Sequence, residues 1–169
     1  MNNPEPDQKD IDFIIAIFSK GQFQKALDEA LEITKYSPKN AILHNITGAC
    51  YMQLGKLNSA VNSFNDAITI KPDYAKAHYN LGAAYHELNM YQESEKSYRN
   101  SISFDPTYAQ AHNNLGNAIK DDGQYSDAIL SYENAINENP NYVEAHYSLA
   151  NIHHNLGQYH PSGCPRHLD

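Results

Sequence analysis

Four histidines, His44, His78, His112 and His146, recur every 34 residues. Imidazole is the commonest metal-binding side chain, so metal coordination is the first chemistry the chain suggests. The spacing argues against it. Side chains related by near-translation in successive units point in parallel and sit about 8–10 Å apart, a helix-packing distance. Ligands on one zinc must converge, each about 2.0–2.1 Å from the metal. The four rings therefore read as structural groups at one packing position. His153, His154, His160, Cys164 and His167 gather near the C-terminus, but without a recognised zinc spacing. No metal and no cofactor are expected. Catalysis finds no better footing: the chain has neither a GxSxG nucleophile motif nor a phosphate loop. Asp121-Asp122 and the pair Glu93 and Glu95 read as solvated helix charges.

Amide recognition is the second candidate chemistry. Asn80 and Asn114 stand at equivalent places 34 residues apart. An asparagine side chain offers one acceptor and two donors, the complement of a backbone peptide group. Around them a helical face is rich in amides and tyrosines. Lys76, Tyr79, Asn113, Asn117, Tyr147 and Asn151 complete the candidate peptide-binding set. The two tyrosines add flat apolar contact area at low entropic cost.

The same interval organises most of the chain. Pro38, Pro72, Pro106 and Pro140 keep it, as do Gly21, Gly55, Asn89, Gly123 and Gly157, and then Gly48, Gly82, Gly116 and Ala150. A fixed period of this size marks stacked copies of one supersecondary unit. In residues 109–142 the first half places Ala111, Leu115, Ala118 and Ile119 on one helical face, and the second half does so with Ala128, Ile129, Tyr132, Ala135 and Ile136. Between them Gly123 marks a left-handed helix terminus. Asn89 fills that place in residues 75–108, and asparagine tolerates the same conformation. The prolines close each unit, because proline cannot continue a helix and restrains the residue before it. Glycine inside a first helix costs roughly 0.5–1 kcal/mol against alanine. Its recurrence at Gly48, Gly82 and Gly116 predicts close approach of the paired helix. The expected fold is all-α, a solenoid of antiparallel helix pairs.

Composition narrows the partners. The 169 residues carry 20 acidic and 12 basic side chains, a net charge of −8. That balance opposes a nucleic-acid backbone or an anionic membrane. The longest apolar cluster, residues 13–18, is too short to span a bilayer. The first residues lack the pattern of a secretory signal, and Cys50 and Cys164 do not suggest a disulfide framework. A reducing, cytoplasmic setting follows as an expectation.

These residues resemble the tetratricopeptide repeat, a 34-residue helix–turn–helix with a W-x₂-L-G-x₂-Y, A-x₃-F, P pattern. Residues 41–74 supply Gly48, Tyr51, Ala60, Phe64, Ala67 and Pro72. Residues 75–108 supply Leu81, Gly82, Tyr85, Tyr98 and Pro106, with Ser94 and Ser101 where small apolar residues are usual. Residues 109–142 supply Leu115, Gly116, Ala128, Tyr132, Ala135 and Pro140. Residues 7–40 read as a divergent first repeat, with Phe13 for the leucine and Ile14 for the glycine. Residues 143–159 read as the first helix and turn of a fifth. Residues 1–6 are then a polar extension, and 160–169 an irregular tail that reads as foreign to the array. The missing second helix would leave Leu149 and Ile152 partly uncovered. Tryptophan is absent, and the four histidines stand in its place.

The wording is also similar to the repeats of O-linked N-acetylglucosamine transferases and of bacterial multi-repeat proteins. The resemblance implies a right-handed superhelix whose first helices line a concave groove for an extended peptide or a partner helix. It implies that Asn80 and Asn114 act as an asparagine ladder gripping peptide backbone. It does not imply a chaperone-tail clamp, because the corresponding Asn45, Ala49, Asn80, Gln110 and Asn114 carry no positive charge. The expected function is a non-catalytic protein-interaction scaffold. A substrate-presenting module of a larger protein glycosyltransferase or sulfotransferase, and an end-to-end homo-oligomer, are the alternatives.

Overall fold

The computed structural model describes the backbone of residues 8–158 and the side chains as far as His154. Residues 1–7 and the tail from Tyr159, with its Cys164, His160 and His167, lie outside the described residues. Among the described residues the elements are nine helices: α1 (Gln8–Ser19), α2 (Phe23–Tyr36), α3 (Ala41–Gln53), α4 (Leu57–Ile70), α5 (Ala75–Glu87), α6 (Tyr91–Phe104), α7 (Ala109–Asp121), α8 (Tyr125–Glu138) and α9 (Val143–Gln158). Each helix touches the next. The first helices of neighbouring units, α1, α3, α5, α7 and α9, also touch one another in series, while the second helices do not. Helices that meet on one side and splay on the other make a curved stack, with the first helices on the inner wall.

Local chemistry sets the turns. Ser37, Lys71, Asp105 and Asn139 end the second helices immediately before the prolines. Within each unit the chain reverses through a left-handed residue. Gly21, Gly55 and Gly123 take φ of 74°, 69° and 86°, and Asn89 takes 59°. Asn89 is the expected substitute, since its short polar side chain tolerates that region. The turn expected at Gly157 is not formed, because α9 continues through it to Gln158. No described helix packs back on this end of α9, so nothing among the described residues bends the backbone there.

The histidines have a specific task. The Nε2–H groups of His44, His78, His112 and His146 donate to the carbonyls of Pro38, Pro72, Pro106 and Pro140 at 2.8–2.9 Å. A carbonyl only accepts, so Nε2 carries the proton. Each ring thus ties its first helix to the proline turn that precedes it. α5 and α7 have no side-chain N-cap, whereas on α3 Asn40 accepts from the Leu43 amide at 3.0 Å.

The glycines inside the first helices lie under aromatic rings. A Cβ on Gly48 would stand 2.5 Å from the Phe64 ring, one on Gly82 would stand 2.8 Å from Tyr98, and one on Gly116 would stand 2.6 Å from Tyr132. These three rings are among the largest fully buried side chains of the protein. The divergent first unit inverts the sizes: Ile14 takes the glycine position and Ala30 the aromatic one, and both are fully buried in one core cluster. Ala150, at the same position of α9, has no second helix above it among the described residues and is exposed.

The two serines at small apolar positions are also resolved. Ser94 and Ser101 are fully buried on α6. Their hydroxyls donate across to α5, to the carbonyls of Gly82 at 2.8 Å and Ala75 at 2.9 Å. A satisfied hydroxyl escapes the desolvation cost of an unpaired one. At the far end Ile152 is buried against Leu115, Ile119, Ala128 and Tyr132, with Leu149 partly buried beside them. The expectation that Ile152 would be uncovered is therefore corrected: α7 and α8 enclose it.

Gly116→Ile should overpack against Tyr132 and cost about 1–3 kcal/mol. Tyr132→Ala should leave a cavity costing about 3–5 kcal/mol. Combined, they recreate the Ile14–Ala30 arrangement and should cost at least about 1 kcal/mol less than their sum. Urea unfolding of the four proteins measures the coupling, and strict additivity would contradict the size-exchange account.

Candidate peptide groove

The inner wall is built by repeat positions 2, 5, 9 and 12 of the first helices. In the first three units these positions are Gln8, Ile11, Ile15 and Phe18 on α1, then Ile42, Asn45, Ala49 and Met52 on α3, then Lys76, Tyr79 and Ala83 on α5. They line a groove of about 600 Å³. Farther along, Lys120 of α7, Tyr132 of α8, and Tyr147, Ser148, Asn151 and Ile152 of α9 line a second cavity of about 360 Å³. Of the candidate residues, Lys76, Tyr79 and Asn80 belong to the first groove and Tyr147 and Asn151 to the second. Asn113, Asn114 and Asn117 are on α7 between them.

The asparagines are not free rungs. Asn80 Nδ2 donates to Asn45 Oδ1 at 2.9 Å, and Asn114 Nδ2 donates to the Tyr79 hydroxyl at 3.0 Å. Both bonds join residues 35 apart, position 6 of one unit to position 5 of the unit before. The ladder therefore runs between helices, along the floor of the wall. Each amide keeps a second N–H beyond that bond. The first rung in this register is apolar: Ile11 and Ile46 are buried in one cluster.

The last rung pairs Asn113 with Ser148, whose side chain is shorter. Asn113 Oδ1 is buried there with no hydrogen-bond partner, although Asn113 Nδ2 donates to Asn114 Oδ1 at 3.3 Å. Asn113 is only 4% exposed, so it supports the wall instead of facing a ligand. Asn117 Oδ1 accepts from the Tyr132 hydroxyl at 2.9 Å.

Tyr79 is likewise built in. Its ring lies 4.8 Å from that of Tyr108 and 5.7 Å from that of Tyr98. Burial raises its hydroxyl pKa, partly offset by the bond from Asn114. Burial also raises Tyr98, and pushes Tyr108 and Tyr132 up to about 12. On the same wall His86 Nε2 meets Asp121 Oδ2 at 2.9 Å, again 35 residues away. Lys120 Nζ is 3.2 Å from Asp121 Oδ1.

Ile15 and Phe18 of the first groove were not among the candidates. Ile15 is 46% exposed and Ile42 41% exposed. A signal existed: residues 13–18 are apolar without interruption, more than one buried helix face requires.

Comparison with known families matches residues 48–89 and 116–157 to the TPR repeat, and residues 75–108 and 97–129 to the tetratricopeptide repeat. Together these matches run from residue 48 to residue 157. The chain belongs to the tetratricopeptide repeat family. Anaphase-promoting complex subunit 3 of Dictyostelium discoideum is 36% identical over 54 residues, 32% of this chain. The match spans 6% of that subunit's length.

Among solved structures, MamA is 26% identical, with a TM-score of 0.77 over 84% of this chain and 83% of MamA. The first TPR of Spaghetti (RPAP3), bound to the HSP90 peptide SRMEEVD, has a TM-score of 0.68 at 22% identity, over 70% of this chain and 94% of that one. YrrB, a TPR protein with an unusual peptide-binding site, has a TM-score of 0.73 at 14% identity, over 92% and 80%. The solenoid architecture of this tetratricopeptide-repeat chain is thus shared with several proteins. Among the described residues no helix is long and apolar enough to cross a membrane.

The rung geometry makes a thermodynamic prediction. Asn80→Ile alone strands the Asn45 carbonyl and should cost about 1–3 kcal/mol. Asn45→Ile with Asn80→Ile copies the Ile11–Ile46 rung and should return stability to within about 1 kcal/mol of the parent. Thermal unfolding of the parent, single and double variants decides it.

The tyrosines make another. Their folded pKa values lie above the ordinary value near 10, so both states stay protonated, and stability is complete, below that pH. From about pH 10 to about 12 the unfolded chain loses protons first. Stability should then fall by about 1.4 kcal/mol per pH unit for each such buried tyrosine. Urea midpoints across this range should drop, and Tyr132→Phe should make the drop shallower.

Proposed function

We propose that this chain is a non-catalytic protein-interaction scaffold that holds a peptide segment of a partner against its concave wall. The observation that carries this reading is an inner groove that no described residue covers. Its walls present Ile15 and Ile42 to solvent although they stand beside the buried core. Apolar side chains convergent in a concavity of this size, with a few amides on its floor, are the usual composition of a ligand site. Two proteins of the same architecture, RPAP3 and YrrB, are peptide binders by description. In this reading Lys76, Tyr79, Asn80, Asn114 and Asn117 contact the peptide from the wall, Tyr147 and Asn151 extend the surface, and Asn113 holds the wall in place. Buried, unpaired Cys50 suits a reducing, cytoplasmic compartment.

Peptides selected from a displayed random library against the full chain test the reading. They should bind the parent and the outer-face variant Leu130→Glu alike. They should lose at least about ten-fold in affinity on the combined Ile42→Glu, Lys76→Glu, Tyr147→Arg variant. Loss on Leu130→Glu alone would put the ligand on the outer surface and reject the groove.

A further inference from the structure

The two ends of the inner wall differ in chemistry, and the difference names a ligand class. Position 9 carries Ile15, Ala49 and Ala83 in the first three units, but Asn117 and Asn151 in the last two. The paired alanines give the groove its depth, and Ile15, Phe18, Ile42 and Met52 give it apolar sides. Among the described residues no aspartate or glutamate lines it. Among the described lining residues the one formal charge is Lys76, in a protein of net charge −8. Lys76 is exposed at the N-terminal end of α5 and forms no ion pair among the described residues.

The geometry points to a specific occupant: a partner peptide segment whose aliphatic side chains seat between α1, α3 and α5, and whose single carboxylate meets Lys76 at the rim. This rests on the groove-binding reading above and fixes where on the wall the peptide sits and what it must carry. The complementarity is of two kinds. Aliphatic groups gain roughly 25 cal/mol per Å² of apolar surface removed from water, and the exposed flanks of Ile15 and Ile42 supply such surface. One acid answers the one unpaired cation, while the N-terminus of α5 adds a partial positive charge at the same rim. A basic segment finds no acidic partner in the groove. Recognition here needs no free C-terminus, since a single lysine is not a carboxylate fork.

The experiment divides the wall. Random-sequence library peptides are selected on the full 169-residue chain and measured by fluorescence polarisation. Variants are Ile15→Lys on α1, Ile42→Glu on α3, Lys76→Glu at the rim and Asn151→Arg on the distant polar wall, each checked for unchanged helicity. The selected sequences should be aliphatic, carry an acid and be poor in lysine and arginine. Ile15→Lys and Ile42→Glu should each weaken binding at least about ten-fold. Lys76→Glu should weaken it about three- to ten-fold and flatten its salt dependence. Asn151→Arg should weaken it less than any of the three groove variants.

Selection of basic peptides, or equal binding to Ile42→Glu and the parent, would overturn the proposal. If binding is lost on Asn151→Arg instead, the concave-groove function stands and only the seat is wrong. If no wall variant matters, or no peptide is enriched, both fall.

Discussion

The distance between the two helices of each unit governs everything else in this protein. In three units it is set by an aromatic ring lying on a glycine, Phe64 on Gly48, Tyr98 on Gly82 and Tyr132 on Gly116. The ring fills the space a side chain would take, so the helices approach closely while the interior stays dense. The first unit reaches the same end with Ile14 and Ala30. Since this contact fixes the thickness of a unit, it also fixes how units stack. Stacking in turn brings the first helices into mutual contact and lets the second helices spread. The curvature that creates an inner wall is therefore a consequence of side-chain size at two positions per repeat.

Once the first helices touch, the facing positions five and six must satisfy each other. The chain does so by different chemistry at successive junctions: an isoleucine pair, an asparagine pair, an asparagine with a tyrosine, and then an incomplete asparagine–serine junction. A buried amide without a partner costs on the order of 1–3 kcal/mol, so the polar junctions act as structural bonds first. This changes the meaning of the asparagine ladder. Asn80 and Asn114 each commit one N–H to a neighbouring helix and present only what remains to the groove. The serines of α6 obey the same rule: they replace small apolar residues at no unsatisfied cost because Gly82 and Ala75 offer carbonyls across the contact.

Much of the fold was legible because it repeats. The proline stops, the left-handed turn with Asn89 in place of glycine, and the glycine approach to a second helix each recur, and periodicity converts a weak local preference into a strong joint one. The histidines were legible in role but not in partner. Their register excluded a shared metal, yet nothing in the letters shows that the ring reaches back six residues to a proline carbonyl. The candidate site was less legible for a physical reason. A helical wheel shows which residues share the inner face, but not which of them the neighbouring helix consumes. That depends on an offset of 35, one more than the repeat, which arises only when the helices are laid side by side. Asn113 was placed on the correct face and is nonetheless buried. Gly157 misled because a left-handed turn needs a helix to fold back, and the motif alone does not supply one.

The groove itself follows from where the stack tolerates apolar exposure. α1 is apolar around most of its circumference: Ile11, Ile14 and Ile17 are buried, and Phe13 and Ile15 are exposed. Phe13 occupies the position at which Leu81 and Leu115 are buried against the preceding unit, and no described helix precedes α1 to cover it. Ile15 has no such explanation. It faces the concavity beside Ile42, on a wall that the repeat elsewhere fills with Asn117 and Asn151. The solvent-facing part of Ile15 removes no apolar area from water on folding. Among the described residues it stands where the lining carries no acid, so apolar surface and Lys76 share one concavity, as the proposed peptide groove requires.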